Sequence, residues 1–222
     1  MIDGADLNHV AVAAESRADL EVRYATQLGG HPRAEGPSPG FVWAQLVYSN
    51  GMVVEMLEPA QVEDNDFLRR FLDRNGPGPH HLTFTVPDFG AALDAVRTSG
   101  YSPVAVNDSD PAWKEAFLHP KDATGVVVQL AEAHEEADVP PDGAPDAGPA
   151  VAPLPAAVLV HVAHAVRSLE DGLRLFGSLL DGTVIGEGRA PDHRWLDVRW
   201  PGPGRVRLMT PTGPGPVDAW LG

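Results

Sequence analysis

The sequence predicts an α+β protein in which one β-α-β-β-β unit is used three times, and three observations predict it. Histidines head three short alternating segments, LNHVAVAA, PHHLTFTV and LVHVAHAV, at His9, His81 and His161. A second strand-like segment follows each one: MVVEMLEP, GVVVQLAE and RVRLMTP. The intervals His9 to Glu55, His81 to Gln129 and His161 to Arg207 are 46, 48 and 46 positions. Between the two segments lies a helical period that ends at glycine, and recurrence of all three features marks an internal repeat.

In the first copy, Leu20, Tyr24, Ala25 and Leu28 recur at helical spacing after Ser16 and Asp19, and Gly29 and Gly30 supply the stop. FVWAQLVYS and MVVEMLEP then flank Asn50-Gly51, a hairpin signal. In the second copy Asp88 caps a helix carrying Ala92, Leu93 and Val96, ended by Gly100. In the third, Leu169, Leu173, Phe176 and Leu180 repeat the pattern, and Gly182 closes it. Three strands are expected after the helix in each copy. Residues 133–156 are acidic, rich in Pro and Ala and without a hydrophobic period, so they read as a linker. They separate 1–132, with two copies, from 157–222, with one.

A chain of 222 residues that is 43% hydrophobic can bury a sizeable core. Asp plus Glu outnumber Lys plus Arg by 31 to 16, and the formal charge of −15 repels phosphate backbones and anionic membrane surfaces. Neither nucleic acid nor membrane is an expected partner. Cysteine is absent, so a metal would be held by imidazole, carboxylate or amide oxygen. No signal-peptide pattern opens the sequence and no apolar run approaches about 18 residues, so a cytoplasmic setting is expected.

Alternation then says where polar side chains point. In HLTFTV, Leu82, Phe84 and Val86 fall on one face and His81, Thr83 and Thr85 on the other. The apolar face packs on the helix, which leaves His81 on the opposite, concave face. The same parity sets His9 against Val10 and Val12, Glu55 against Val54 and Met56, and Gln129 against Val128 and Leu130. A carboxylate on a half-buried face is costly unless something charged or hydrogen-bonding receives it. Two imidazoles, one carboxylate and one amide oxygen at equivalent places suit one divalent ion, Mn, Fe, Co, Ni or Zn, with positions left for substrate. His80 has the opposite parity and His119 ends a strand at a turn; both read as structural.

NHVAVA, VVEMLEP, GPHHLTFTVPD and FLHPKDATGVVVQLAE together resemble the vicinal oxygen chelate superfamily of glyoxalases, bleomycin-resistance proteins and dioxygenases. Over residues 5–132 the likeness is to its methylmalonyl-CoA epimerases and glyoxalase I members. The resemblance implies a glyoxalase-like fold, with two paired modules forming a cupped mixed sheet around one metal, and the third copy of the repeat is then an orphan module. One ligand is implied on the first and last strand of each paired module, at His9, Glu55, His81 and Gln129. It further implies chelation of a small-molecule substrate, acyl-CoA thioesters included, and an isomerase, epimerase or lyase working through a metal-stabilised enolate.

In the epimerases two glutamates move the proton, one on the last strand and one on the second strand of the first module. Here those places hold Gln129 and, in the second strand GFVWAQL, Trp43 or Gln45. Glu55 is the carboxylate that remains, expected as ligand and catalytic base together, with Trp43, Gln45 and Trp113 as pocket residues. Two alternatives stay open: an extradiol-type non-haem iron dioxygenase built on His9, His81 and Glu55, and a non-catalytic small-molecule-binding protein of the bleomycin-resistance type.

Aligning LMTP on MLEP puts Arg207 at the place of Glu55, and a guanidinium cannot ligate a cation. The third copy therefore lacks a complete metal site, and Arg207 is expected to meet a carboxylate, an anionic substrate group or solvent. VDAWLG resembles the start of FLRRFLDRNG, which precedes the second copy. A single copy leaves a cupped face uncovered; a homodimer through that face is expected, with covering of the first two copies as the other possibility.

Overall fold

A computed structural model describes residues 1–133 and 157–221, so the linker expected at 133–156 lies outside them except for Ala133, which ends a strand. The chain runs β1 (Asp6–Ala13), α1 (Arg17–Glu21), β2 (His31–Ser38), β3 (Phe41–Val47), β4 (Val53–Pro59), α2 (Phe67–Asn75), β5 (Gly78–Thr85) and α3 (Phe89–Thr98). It continues through β6 (Pro103–Asn107), β7 (Trp113–Leu118), β8 (Val127–Ala133), β9 (Val162–Ala165), α4 (Leu169–Leu173), β10 (Thr183–Arg189), β11 (His193–Arg199), β12 (Arg205–Pro211) and α5 (Pro216–Trp220). The order strand, helix, three strands occurs at β1–β4, β5–β8 and β9–β12. Within the resembling segments, FLRRFLDRN forms helix α2 and VDAW lies in helix α5.

Strand neighbours repeat as well: β2-β3-β4-β1, β6-β7-β8-β5 and β10-β11-β12-β9. The first and last strand of each set are parallel, and the other pairs are antiparallel. This pairing sets Ala11 beside Glu55 and Thr83 beside Gln129. Because a one-residue slip would turn every side chain to the other face, the register decides which polar groups share the cup.

Ser16, Asp88 and Ser168 cap the three helices with their side-chain oxygens, as the sequence anticipated for Ser16 and Asp88. A second cap comes from the last strand. The Glu58 carboxylate accepts the backbone N–H of Arg17, and Glu132 accepts that of Phe89 at 2.6 Å. A carboxylate is stabilised there by the exposed N–H groups of the first turn. Thr210 takes the equivalent place in the third set and donates to the Arg167 carbonyl at 3.0 Å.

The helical periods read from the sequence are only partly obeyed. α1 and α4 widen into π-helical stretches, Val22–Gln27 and Arg174–Leu179. The wider turn rotates the inward stripe. In the third set Leu175, Phe176, Leu179 and Leu180 are buried while Leu169 and Leu173 are half-buried; in the first, Leu20 is buried and Leu28 is exposed.

Of the described residues, 9–80 with 157–159 form one unit, and 1–8, 81–133 and 160–221 form another. In the first, α2 sets Leu68 and Leu72 on Ala11, Ala13 and Leu57, with Phe41, Trp43, Phe67 and Phe71 packed around them. In the second, the apolar face of β5 meets the third set: Phe84 is fully buried, with the Trp200 ring 4.9 Å away edge-on and Phe176 at 6.3 Å. Trp200 donates from its indole nitrogen to the Leu180 carbonyl at 2.7 Å, and the Ile2 amide donates to the Leu179 carbonyl at 2.7 Å.

His164 lies in the same layer, 3.1 Å from the Thr124 hydroxyl, and burial lowers its pKa to about 4. Its folded pKa is below the ordinary value of about 6.5, so the unfolded chain binds more protons between those limits and stability is lost as pH falls from about 6.5 to about 4. Thermal melts across that window should show a decline that His164→Gln makes shallower; an identical pH slope in the variant would refute the assignment.

Candidate metal centre

In the first unit, β1 and β4 run parallel, and their alternation turns His9 and Glu55 to one face. His9 is 1% exposed and Glu55 9%. The imidazole Nε2 stands 3.5 Å from Glu55 Oε2, and Gln45, opposite Glu55 on β3, donates to Oε1 at 3.1 Å. Two ligands held about 2.1 Å from one ion at a tetrahedral angle stand about 3.4 Å apart, so this imidazole and carboxylate fit the first two places around a divalent cation.

In the second unit, β5 and β8 repeat the arrangement. His81 and Gln129 are 7% and 6% exposed, and the His81 ring stands edge-on to Phe117 with centroids 6.4 Å apart. Gln129 is held at both ends of its amide. Its oxygen accepts the Thr83 hydroxyl at 2.6 Å and its nitrogen donates to Glu115 Oε2 at 2.6 Å. The amide oxygen expected as a fourth ligand is thus engaged by a neighbouring hydroxyl.

His9 and Glu55 on β1 and β4 of the first unit, and His81 at the matching place on β5, are the residues whose side chains could serve as metal ligands. Two imidazole nitrogens and one carboxylate suit Mn, Fe, Co, Ni or Zn.

Other expectations sort by what each side chain touches. GFVWAQL is the third strand of its set, because His31–Ser38 also pairs as a strand. Gln45 reaches Glu55, but Trp43 packs in the apolar cluster beside α2 and over Gly36, whose added Cβ would meet the indole at 3.1 Å. Trp113 donates from its indole to Glu115 at 3.1 Å. His80 sits against Phe71 and Phe67, at 4.6 and 5.6 Å between ring centres, and burial lowers its pKa to about 4. His119 shapes its turn, its Nδ1 accepting the Lys121 amide at 3.2 Å.

In the third set Arg207 meets a carboxylate. It donates twice to Asp197, at 2.7 and 2.7 Å, and lies 4.2 Å over the Trp195 ring. Asp197 and Trp195 stand where Gln45 and Trp43 stand in the first set. The Arg207 guanidinium holds the Asp197 carboxyl below its ordinary range, and burial with Arg207 nearby lowers the pKa of His161. An ion pair thus stands where Gln45 and Glu55 stand in the first set.

Sequence reasoning missed Glu115, although WKEAFL carried the signal. Ala116 and Leu118 are buried, so Trp113, Glu115 and Phe117 share the other face. It also missed the capping role of Glu58 and Glu132, which stand three residues after Glu55 and Gln129.

The fold and this cluster define a class. Residues 8–117 match the Glyoxalase/Bleomycin resistance protein/Dioxygenase superfamily, and the chain belongs to it. Its mixed α+β architecture is the glyoxalase-like fold. An ethylmalonyl-CoA/methylmalonyl-CoA epimerase of Cereibacter sphaeroides is 30% identical over 133 residues, covering 56% of this chain and 95% of that protein. A variant of the Streptomyces coelicolor methylmalonyl-CoA epimerase, solved in complex with 2-nitronate-propionyl-CoA, shares the fold at TM-score 0.51 and 24% identity. That match covers 59% of this chain and 98% of the other. A mutant 4-hydroxymandelate synthase, also from Streptomyces coelicolor, matches with TM-score 0.68 over 98% of this chain and 67% of its own, at 16% identity, a likeness of fold. No helix among the described residues is long and apolar enough to cross a membrane.

Proposed function

We propose that the protein is a metal-dependent isomerase, epimerase or lyase that moves a proton next to a substrate carbonyl, with an acyl-CoA thioester as its substrate. The observation that carries this reading is the buried His9–Glu55 pair at 3.5 Å, and the buried His81 at the equivalent place on β5 supports it. The name of the Cereibacter sphaeroides relative supports the substrate class.

His9, Glu55 and His81 would hold the ion. A divalent ion held there would supply Lewis-acid stabilisation of negative charge on a substrate oxygen, an effect worth several kcal/mol. The protein supplies the rest. Gln45 fixes the Glu55 carboxylate by donating to Oε1, so Glu55 meets substrate in one orientation as ligand or as base. Burial of the four polar residues His9, Glu55, His81 and Gln129 keeps water from competing for these groups.

The test is metal analysis of the native chain followed by incubation with methylmalonyl-CoA in deuterated water. One cobalt per chain and deuterium at the carbon between the two carbonyls are expected. A protein that takes up no divalent metal, or that binds cobalt and exchanges no proton, overturns the proposal. Light scattering of the same samples reads the homodimer expected from the third set. A second reading draws on the composition of the ligand group, because two imidazoles and one carboxylate are also the set used by non-haem iron oxygenases. Oxygen consumption with a catechol, dependent on iron(II), would favour it.

A further inference from the structure

We infer that Glu115 is a proton-transferring residue, working from β7 on the strand face that it shares with His81. The inference rests on the proton-transfer reading above and adds a second carboxylate to it. The observations come from one unit. Glu115 shares its strand face with Trp113 and Phe117, and the register sets Phe117 beside Gln129 and Glu115 beside Ala131. That is also the face of His81, whose ring meets Phe117.

The carboxylate is oriented by a directed chain of hydrogen bonds. The Thr83 hydroxyl donates to the Gln129 oxygen at 2.6 Å, which turns the Gln129 nitrogen outward to donate to Glu115 Oε2 at 2.6 Å. The Trp113 indole donates to the same oxygen at 3.1 Å. Oε2 is thus doubly received, while Oε1 accepts no hydrogen bond among the described residues. Nor is the charge neutralised by a cation on its strand, since the neighbouring Lys114 pairs with Glu132 at 2.6 Å. A half-buried carboxylate with one oxygen pinned and the other open is placed to accept a proton.

In the step assigned to it, the C–H bond beside the substrate carbonyl breaks and an O–H bond forms at Glu115 Oε1. The C–H electron pair moves toward the carbonyl oxygen, and the reverse step returns the proton to carbon. No electrons leave the substrate. Gln129 acts through Glu115 as a positioning residue.

Glu115→Gln preserves size and removes the base. It should keep cobalt stoichiometry, the visible cobalt spectrum and the far-ultraviolet dichroism of the parent. Deuterium exchange from methylmalonyl-CoA should fall at least about 100-fold, and Glu115→Asp should restore part of it. Parental exchange rates in Glu115→Gln overturn the inference. So does joint loss of cobalt and exchange, which would make the residue a support of the metal group. Parent protein that binds cobalt but exchanges nothing refutes the proton-transfer reading itself, and with it this one. Normal exchange in the parent and in Glu115→Gln refutes Glu115 alone.

Discussion

Glu55→Ala and His81→Ala should each abolish tight cobalt binding and, with it, proton exchange. Loss of a residue that merely supports a ligand typically weakens metal affinity 10- to 100-fold, so loss of a ligand should exceed about 100-fold. Glu55 has the larger expected effect because it brings the one negative charge of the His9–Glu55–His81 group. Titration calorimetry with cobalt(II) on the full chain reads the affinity, and the visible cobalt spectrum reports whether the ion is held at all. Affinity unchanged within a few-fold in both variants would remove the metal centre. Glu55→Gln separates the two roles of this residue: an amide oxygen can still ligate, but it takes no proton at neutral pH.

Phe84→Ala should cause the largest loss of stability. Its side chain is fully buried between the Trp200 and Phe176 rings, and the truncation leaves a cavity that neither rigid ring can fill. Such truncations cost about 3–5 kcal/mol. For a chain of this size that corresponds to a fall of roughly 10 °C in Tm. Trp220→Ala, at a side chain 76% exposed, serves as the control and should stay within about 0.5 kcal/mol. A Phe84→Ala cost below about 1 kcal/mol would mean that β5 and the third set do not share a packed layer.

Much of this was open to reading in the chain. The strands at His9, His81 and Glu55 were legible because a period of two is a local property, and a polar residue out of phase with Val, Leu and Met marks the other face. The capped starts at Ser16 and Asp88 were legible for the same local reason. The π-helical stretches after α1 and α4 were not, because their widening answers to what packs against them. The order of strands also misled: HPRAEGPS, with two prolines and no apolar face, gave no strand signal, yet it pairs with β3 and moves GFVWAQL to third place.

The clearest difference concerns Gln129 and Trp43. Both were placed by alignment at positions where related epimerases carry bases, and the site looked short of carboxylates. Glu115 was present in the sequence and on the correct face, but nothing local joins it to Gln129, 14 positions away. Trp43 was read as a pocket residue, and its packing beside α2 depends on a helix more than 20 positions later in the chain.

By itself the sequence determined the repeat, the faces of its strands, the exclusion of thiolate ligands and the loss of the ligand pair at Arg207. Each of these follows from residue type and spacing along one segment. Only the tertiary structure decided that Asp197 receives Arg207, that Phe84 is closed over by Trp200, and that Thr83 and Gln129 aim at Glu115. Those are contacts between segments distant in the chain, set by pairing across a sheet or by packing of one layer on another, and a single sequence carries the parity of each strand but not the partner it will lie beside.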